Sequence, residues 1–265
     1  MLTDKFPELK GLILDMDGVL WKDSKPIGDL PYVFKGISDL GLKVVFATNN
    51  ATKSIKEYQQ KIASFGVQVE PEQIITSAMA AAKYLQQHYP TNSKVYVVGS
   101  ASLKDIIREH GFQVCDDAER DSAQVVLVAM DTNLTYEKIS NAATQIRQGA
   151  DFIATNMDAT FPTPQGLFPG AGACVAAIAT AAEMQPLLIG KPQTPMYELA
   201  FQTLGFAPHE IMAIGDRLET DIAGAQKAGC LAGLVLSGVT DESKARSWQP
   251  QPDLIAKDLT ELVYG

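Results

Sequence analysis

Two carboxylates one residue apart, at the end of an apolar segment, constrain this chain more than any other feature. Residues 12–14 are Leu-Ile-Leu, and Asp15 and Asp17 follow directly. A continuous apolar strand is typical of a parallel sheet covered on both faces, and acids at its end place like charge where charge is costly. Ligands bind at this edge of such sheets, so a hard cation such as Mg²⁺ would compensate the charge. Taken alone, the segment could equally be a turn, since Asp-Gly favours turns.

Length, hydropathy and charge narrow the class of protein. The chain has 265 residues, of which 46% are hydrophobic, enough for one large or two modest domains. No apolar run approaches the roughly 20 residues that cross a bilayer, and the first residues lack a secretory pattern, so we expect a cytoplasmic protein. The net charge of −9, without a basic cluster, argues against nucleic-acid polymers and anionic membranes as partners.

The cysteines agree with a reducing compartment. Cys115, Cys174 and Cys230 are odd in number, far apart and without zinc-ligand spacing. We interpret them as small buried hydrophobic residues of a cytoplasmic protein.

Short apolar runs alternate with amphipathic stretches, which predicts an α/β fold with a Rossmann-like, doubly wound parallel sheet. One series of strands is predicted at 12–15, 43–48, 187–189, 211–214 and 231–235, with helices at 32–41 and about 54–66. A second series has strands at 95–98, 125–128 and 152–154, with helices near 101–110, 135–148 and 172–184.

The spacing of the first series indicates an insertion. Asp15 and Thr48 are 33 residues apart, which suits one βαβ crossover, whereas Thr48 and Lys191 are 143 residues apart. That longer interval leaves roughly a hundred residues for a smaller domain with its own core. We therefore predict a catalytic core formed by 1–78 and 186–265, with an inserted α/β cap at 79–185.

Polar segments follow four of the predicted core strands. They are Asp-Met-Asp-Gly at 15–18, Thr-Asn-Asn at 48–50, Gly-Lys-Pro at 190–192 and Gly-Asp-Arg-Leu-Glu-Thr-Asp at 215–221. In this order the segments resemble the four motifs of the haloacid dehalogenase (HAD) superfamily of phosphohydrolases. The cap between the second and third motifs, Asp-Gly-Val-Leu-Trp at 17–21 and Pro-Gly-Ala-Gly-Ala at 169–173 look like the NagD/4-nitrophenylphosphatase branch.

The first motif contains the residue types that phosphoryl transfer requires. Asp15 is the candidate nucleophile, which would form an aspartyl-phosphate. Asp17 is the candidate general acid for the leaving group and the general base for the attacking water. The resemblance implies that Asp15 also binds Mg²⁺ and that Asp17 does so through its backbone carbonyl.

The second and third motifs supply candidate phosphate ligands. Thr48 would bind a phosphoryl oxygen through its hydroxyl, and Asn49 and Asn50 through backbone N–H groups. Thr-Asn-Asn before a helix is also an ordinary capping sequence. Lys191 would neutralise the phosphate and the nucleophile, and its position after an apolar strand distinguishes it from a solvated lysine.

The fourth motif supplies the remaining candidate metal ligands. Asp216 is the best candidate for a further carboxylate ligand, and Asp221 would bind the metal through water or orient Lys191. Glu219 stands where relatives often have Asp, but a glutamate there could simply cap the helix, so we leave it outside the metal site.

The segment at 156–166 is polar and turn-rich, and we predict a loop of the cap there. Asp158 and Phe161 are candidates to contact the leaving group, and an ordinary loop with a buried aromatic explains them equally well. Some relatives have a histidine where Phe161 stands, so their specificity does not transfer directly.

Together these features predict a Mg²⁺-dependent phosphomonoesterase that acts on a small phosphorylated metabolite, such as a sugar phosphate or a nucleotide. Two alternatives remain: a phosphate-accepting receiver module without turnover, and a halide-cleaving relative. Neither has a use for Asp17, and a receiver module has about half this length. Relatives include cap-mediated dimers, but no feature of this sequence requires a homodimer, and none identifies the substrate.

Overall fold

A computed structural model describes residues 1–115, 123–163 and 165–265, with the side chains of 161–163 outside that description. The chain forms two compact units. The core unit contains Met1–Thr48, Ile55–Ile75 and Lys191–Gly265. The inserted unit contains Asn49–Ser54 and Thr76–Gly190.

In the described residues the strands, in chain order, are β1 Gly11–Leu14, β2 Trp21–Lys22, β3 Lys25–Pro26, β4 Lys43–Thr48, β5 Ile74–Thr76, β6 Lys94–Val98, β7 Gln113–Cys115, β8 Val125–Val128, β9 Asp151–Ala154, β10 Thr160–Thr163, β11 Gly166–Pro169, β12 Leu187–Leu188, β13 Ile211–Gly215, β14 Leu231–Val235 and β15 Leu254–Ala256. The α-helices are α1 Leu2–Lys5, α2 Leu30–Asp39, α3 Ile55–Ser64, α4 Ser77–His88, α5 Ala101–Glu109, α6 Tyr136–Arg147, α7 Ala171–Ala182, α8 Thr194–Leu204, α9 Ala223–Ala228, α10 Glu242–Ser247 and α11 Leu259–Tyr264. Single helical turns lie at Pro71–Gln73, Pro208–Glu210 and, in π-helical form, Leu218–Ile222.

The core unit is built on a six-stranded sheet in the order β15-β14-β13-β1-β4-β5. Strands β15 to β4 pair in parallel, and β1 lies between β13 and β4 with all its residues buried. The chain runs outward from β1 to β4 on one side and from β13 to β15 on the other, so strand order reverses at β1. The predicted Rossmann-like core is confirmed, and ligands bind at the switch point of such sheets, where β1 and β13 end.

Apolar packing on one face of the sheet holds its central strands in place. Leu12, Phe46 and Ile214, from three adjacent strands, are at most 1% exposed and belong to one core cluster. Burying each of these side chains contributes roughly 1.5–3 kcal/mol. Residues that directly follow the strands therefore extend from a rigid frame.

Helix α2 shows how local sequence sets the boundaries of an element. The Asp29 side chain accepts a 3.1 Å hydrogen bond from the Tyr32 N–H, and Pro31 occupies the first turn, where its missing N–H is not needed. These signals start the helix at Leu30, two residues before the predicted start at Tyr32.

The inserted unit has its own parallel sheet, in the order β12-β9-β8-β6-β7. Its buried cluster includes Val126 and Val128 of β8 and Val175 and Ile178 of α7. The segment 156–166, which we predicted to be a loop, contains β10 and the start of β11, and these two strands pair as an antiparallel hairpin.

The prediction that 187–189 form a strand of the core sheet is wrong. Leu187 and Leu188 pair with Ile153 and Ala154 of β9, and the Ile189 N–H continues that ladder by donating to the Ala154 carbonyl at 3.0 Å. A run of apolar residues predicts a buried strand, but it carries no information about which of two parallel sheets the strand joins.

Cys115, Cys174 and Cys230 are buried, as expected for small hydrophobic residues. Over the described ranges, the structure has no helix with the length and apolarity to cross a membrane.

Candidate active site

The Lys191 ammonium lies at the centre of the polar cluster in the core unit. Its Nζ donates to Asp15 Oδ1 at 2.6 Å, to Asp221 Oδ1 at 2.6 Å and to the Ala47 carbonyl at 3.0 Å. Asp15 follows β1 and Ala47 belongs to β4, so one lysine connects two adjacent strand ends with the segment after β13. Only 6% of Lys191 is exposed, which excludes the solvated lysine as an interpretation.

Burial and charge act in opposite directions on this group. Burial lowers the pKa of Lys191, but the Asp15 and Asp221 carboxylates outweigh it and hold the pKa above its usual range. Burial also raises the pKa of the Asp15 carboxyl, which Lys191 opposes and the charges of Asp221 and Asp216 reinforce. The lysine is therefore a fixed cation, and the three carboxylates compete for its charge.

Asp221 is held by groups from two sides. Its Oδ2 accepts from the Arg217 N–H at 3.1 Å, and the Tyr197 hydroxyl donates to its backbone carbonyl at 3.0 Å. A side chain at Gly215 would place Cβ 2.2 Å from the Asp221 Cβ, so glycine is required where β13 ends. Position 221 in turn fixes the orientation of Lys191.

Asp216 is buried and only partly satisfied by the protein. Its Oδ2 accepts from the Val239 N–H at 2.7 Å, whereas Oδ1 is buried and has no hydrogen-bond partner in the described part of the chain. Cβ atoms at Gly18 and Gly238 would lie 2.4 and 1.9 Å from Oδ2, so both glycines let backbone approach this carboxylate. Burial raises the pKa of Asp216 to about 6, and Asp221 adds to the shift.

These residues fit a hard divalent cation. One carboxylate oxygen from each of Asp15, Asp216 and Asp221 lies within 4.8 Å of the others. Three carboxylates around one ammonium leave an excess of two negative charges, and the unpartnered Asp216 oxygen is an oxygen ligand of the kind that Mg²⁺ prefers. A dipositive ion here would neutralise the excess.

Thr48 and Asn50 flank the junction between the two units in the chain. Thr48 ends β4 and is 4% exposed. In the inserted unit, Asn50 Oδ1 accepts from the N–H and the hydroxyl of Thr52, at 2.9 and 2.7 Å. The Asn50 side chain thus closes a turn that precedes α3 in the chain.

Asn49 and Asp158 meet within the inserted unit. Asn49 Nδ2 donates to Asp158 Oδ1 at 3.2 Å, and the Asn49 carbonyl accepts from Asn156 Nδ2 at 2.7 Å and from Ser77 Oγ at 2.5 Å. The Asn156 side chain also accepts from the Asp158 N–H at 3.0 Å. Phe161 lies in β10, and its side chain is outside the described part of the structure. The candidate leaving-group residue Asp158 is therefore fixed by the residue that directly follows Thr48.

Asp17 follows β1 with its side chain exposed, and its Oδ1 accepts a 2.7 Å hydrogen bond from Trp21 Nε1. Of these two residues only Asp17 was predicted from the sequence to act in the site, and Trp21 entered only as part of the family signature. The four-residue interval across an Asp-Gly turn was the available signal, since such a turn brings residues i and i+4 together.

Comparison with known proteins assigns the family. A model of the haloacid dehalogenase-like hydrolases matches residues 12–113, and a second, HAD-hydrolase-like model matches residues 188–262. Together they cover the segments that carry Asp15, Lys191, Asp216 and Asp221. The chain belongs to the haloacid dehalogenase-like hydrolase family.

Relatives of known function agree with this assignment. The 5'-nucleotidase YutF of Bacillus subtilis is 32% identical over 96% of this chain and 97% of its own length. The chloroplastic phosphoglycolate phosphatase 1A of Arabidopsis thaliana is 36% identical over 95% of this chain and 75% of its own length.

Solved structures give the same result. NagD from Escherichia coli K-12 has a TM-score of 0.87 at 31% identity, covering 96% of this chain and 98% of that chain. A glycerol phosphate phosphatase from Mycobacterium tuberculosis, solved in complex with magnesium, has a TM-score of 0.89 at 31% identity, covering 97% of this chain and 77% of that chain. The predicted resemblance to NagD-type HAD phosphatases is confirmed, and the protein is a phosphatase of this family.

Asp216→Asn should stabilise the metal-free protein at neutral pH. Burial raises the pKa of Asp216 from 3.8 to about 6, so between these values the folded protein holds a proton that the unfolded chain has lost. The free energy of unfolding of the wild type therefore falls as pH rises through this range, by at most about 3 kcal/mol. An amide carries no charge to desolvate. Urea denaturation in the presence of a chelator should therefore give the variant a larger free energy of unfolding than wild type near pH 7.5 but not near pH 4.

Glu219→Gln is the matched control, since it makes the same change in an exposed side chain of the same segment. It should leave the difference between the two pH values unaltered. Equal destabilisation of Asp216→Asn at both pH values would contradict the raised pKa.

Proposed function

We propose that this phosphatase is a Mg²⁺-dependent phosphomonoesterase that hydrolyses small phosphate esters through an aspartyl-phosphate at Asp15. The observation that supports this best is the Lys191 ammonium between Asp15 and Asp221, 2.6 Å from each, beside the partly unsatisfied Asp216. Such an arrangement suits a compact dianionic group, because phosphoryl transfer is catalysed mainly by positioning and charge neutralisation.

In the first step, an oxygen of Asp15 attacks phosphorus while the bond from phosphorus to the leaving oxygen breaks. Asp17 gives its proton to that oxygen, so the product leaves as a neutral alcohol. In the second step Asp17, now ionised, takes a proton from the water that attacks phosphorus. The Asp15–phosphorus bond breaks, and phosphate and the free carboxylate are restored.

The neighbouring residues bind and orient the phosphoryl group. Lys191 neutralises its charge and holds the Asp15 carboxylate, while the Thr48 hydroxyl and the N–H groups of Asn49 and Asn50 donate to its oxygens. Asp15, Asp216 and the backbone carbonyl of Asp17 would hold Mg²⁺, with Asp221 acting through water. When bound, the ion supplies the positive charge that offsets the carboxylates and the phosphoryl oxygens together.

The inserted unit is proposed to select the leaving group as a cap, with Asp158 and Phe161 as its contacts. The related proteins carry names that refer to nucleotides, phosphoglycolate and glycerol phosphate, which share only a small size and a phosphoryl group. We therefore propose a small phosphorylated metabolite of the cytoplasm as substrate. The net charge of −9 disfavours polyanionic substrates.

Asp15→Asn should abolish turnover, because an amide does not attack phosphorus, while the near-isosteric change preserves the fold. The measurement is phosphate release from 4-nitrophenyl phosphate with Mg²⁺, on protein whose intact mass excludes deamidation. Substantial activity in such a sample would contradict the assignment. Release of no more than one equivalent of phosphate by the wild type would instead favour a receiver module.

Asp158→Ala and Lys191→Ala should separate recognition from transfer. Loss of a leaving-group contact should raise the free-energy barrier for a 5'-nucleotide by about 1–3 kcal/mol, which lowers its kcat/KM roughly 10- to 200-fold. The kcat/KM for methyl phosphate should remain almost unchanged. Lys191→Ala should depress both substrates together, because each presents the same phosphoryl group.

Glu137→Ala, which removes an exposed carboxylate of the inserted unit, is the control for Asp158 and should affect neither substrate. Parallel losses of both substrates in Asp158→Ala would mean that this residue has only a structural role.

A further inference from the structure

The side chain proposed to carry the proton is exposed, yet one of its oxygens is tied to a buried group. Trp21 is 1% exposed, and its Nε1–H donates to Asp17 Oδ1 at 2.7 Å. This distance lies at the short end of the range for N–H···O hydrogen bonds. The indole therefore holds one oxygen of Asp17 and leaves Oδ2 as the other.

The backbone between the two residues fixes their relation. The Gly18 N–H donates to the Trp21 carbonyl at 2.8 Å, and the Met16 carbonyl accepts from the Leu20 N–H at 2.9 Å. Gly18 has a backbone φ of +85°, a conformation that residues with a side chain rarely adopt. This tight turn brings positions 17 and 21 into a bridge directly after the central strand β1.

The indole is in turn held by α3. Lys61 Nζ lies 4.0 Å from the centre of the Trp21 ring and donates to the Asp23 carbonyl at 3.1 Å, in the turn between β2 and β3. The Phe65 ring, four residues after Lys61, lies 5.9 Å from the ring of Trp21. The contacts of Lys61 with both the ring and the turn restrict the rotation of the indole.

We propose that Trp21 is a positioning residue for Asp17, and that Lys61 supports it by fixing the indole. The N–H anchors Oδ1, so that Oδ2 carries the proton to the leaving oxygen and later receives one from water. Without the anchor the exposed carboxyl would sample several rotamers, and few of them would reach the leaving oxygen. The inference rests on the proposed function, in which Asp17 is the general acid and base.

A purely structural Trp21 predicts a different result. If the indole only fills the core and satisfies its N–H on the nearest acceptor, its replacement would impair all substrates by one factor. A positioning role predicts a loss that depends on how much the leaving group needs a proton. Nitrophenolate leaves readily as an anion, whereas an unactivated phenol of almost the same shape does not.

The test compares 4-nitrophenyl phosphate with 4-methylphenyl phosphate in Trp21→Phe. Phenylalanine keeps an aromatic ring under Lys61 and removes the N–H. We expect kcat/KM, which reports transfer to Asp15, to fall roughly tenfold more for the methyl ester than for the nitro ester, a part of the 10²–10⁴ that general acids contribute. The matched control is Trp248→Phe, at the chain's other tryptophan, whose Nε1 donates to Gln226. In this variant the ratio of kcat/KM between the two esters should equal that of wild type.

Asp17→Asn distinguishes failure of the inference from failure of the proposed function. If it reduces both esters equally, Asp17 is not the acid and the proposed function is wrong in that respect. If it discriminates between them while Trp21→Phe affects both equally or not at all, the positioning role alone is overturned.

A second pair of variants decides the matter should Trp21→Phe fail to fold. Lys61→Met removes the cation and keeps most of the methylene stem. It should again lower kcat/KM more for the methyl ester than for the nitro ester, by a smaller factor than Trp21→Phe. Lys61→Arg keeps a cation over the ring and should restore the wild-type ratio. Uniform losses in Lys61→Met, or no rescue by arginine, would overturn the inference.

Discussion

The placement of one buried ammonium between two carboxylates is the constraint on which the rest of this site depends. Lys191 is 6% exposed, and a charge so far from water is tolerated only because Asp15 and Asp221 each accept a hydrogen bond from it at 2.6 Å. The same contacts hold Asp15 at the end of β1. A residue that costs folding energy in isolation thus aligns the group proposed to attack phosphorus.

The architecture serves this placement at several points. Strand order reverses at β1, so the segments after β1 and β13 come together at one edge of the sheet. Glycines at 18, 215 and 238 then allow close approach to Asp216 and Asp221, where any Cβ would overlap a carboxylate. The excess of negative charge that results is unfavourable for the metal-free protein and favourable for a divalent cation, so stability and metal affinity should oppose each other here.

Much of this arrangement follows from sequence, because strand ends in a parallel sheet share an edge. That rule places Asp15, Thr48 and Asp216 at one edge of the core sheet from the sequence alone, whereas Lys191 follows a strand of the other sheet, so the rule does not place it. The rule also says nothing about contacts between side chains. The hydrogen bond from Asn49 to Asp158 joins residues 109 positions apart, and no local sequence pattern predicts it. Hydrophobic periodicity likewise did not predict which sheet Leu187–Leu188 join, because a short apolar strand has the same sequence pattern in either parallel sheet.

The most direct test of the account is to find where phosphate becomes attached to the protein. In Asp17→Asn, nitrophenolate can still leave 4-nitrophenyl phosphate without a general acid, so the aspartyl-phosphate forms. Its hydrolysis then lacks the general base, so this intermediate should accumulate. Acid quenching, borohydride reduction and peptide mapping should then reveal homoserine at position 15, after a burst of one nitrophenol for each protein. A full burst with position 15 unmodified, or with phosphate on another residue, would contradict the assignment of Asp15 as nucleophile.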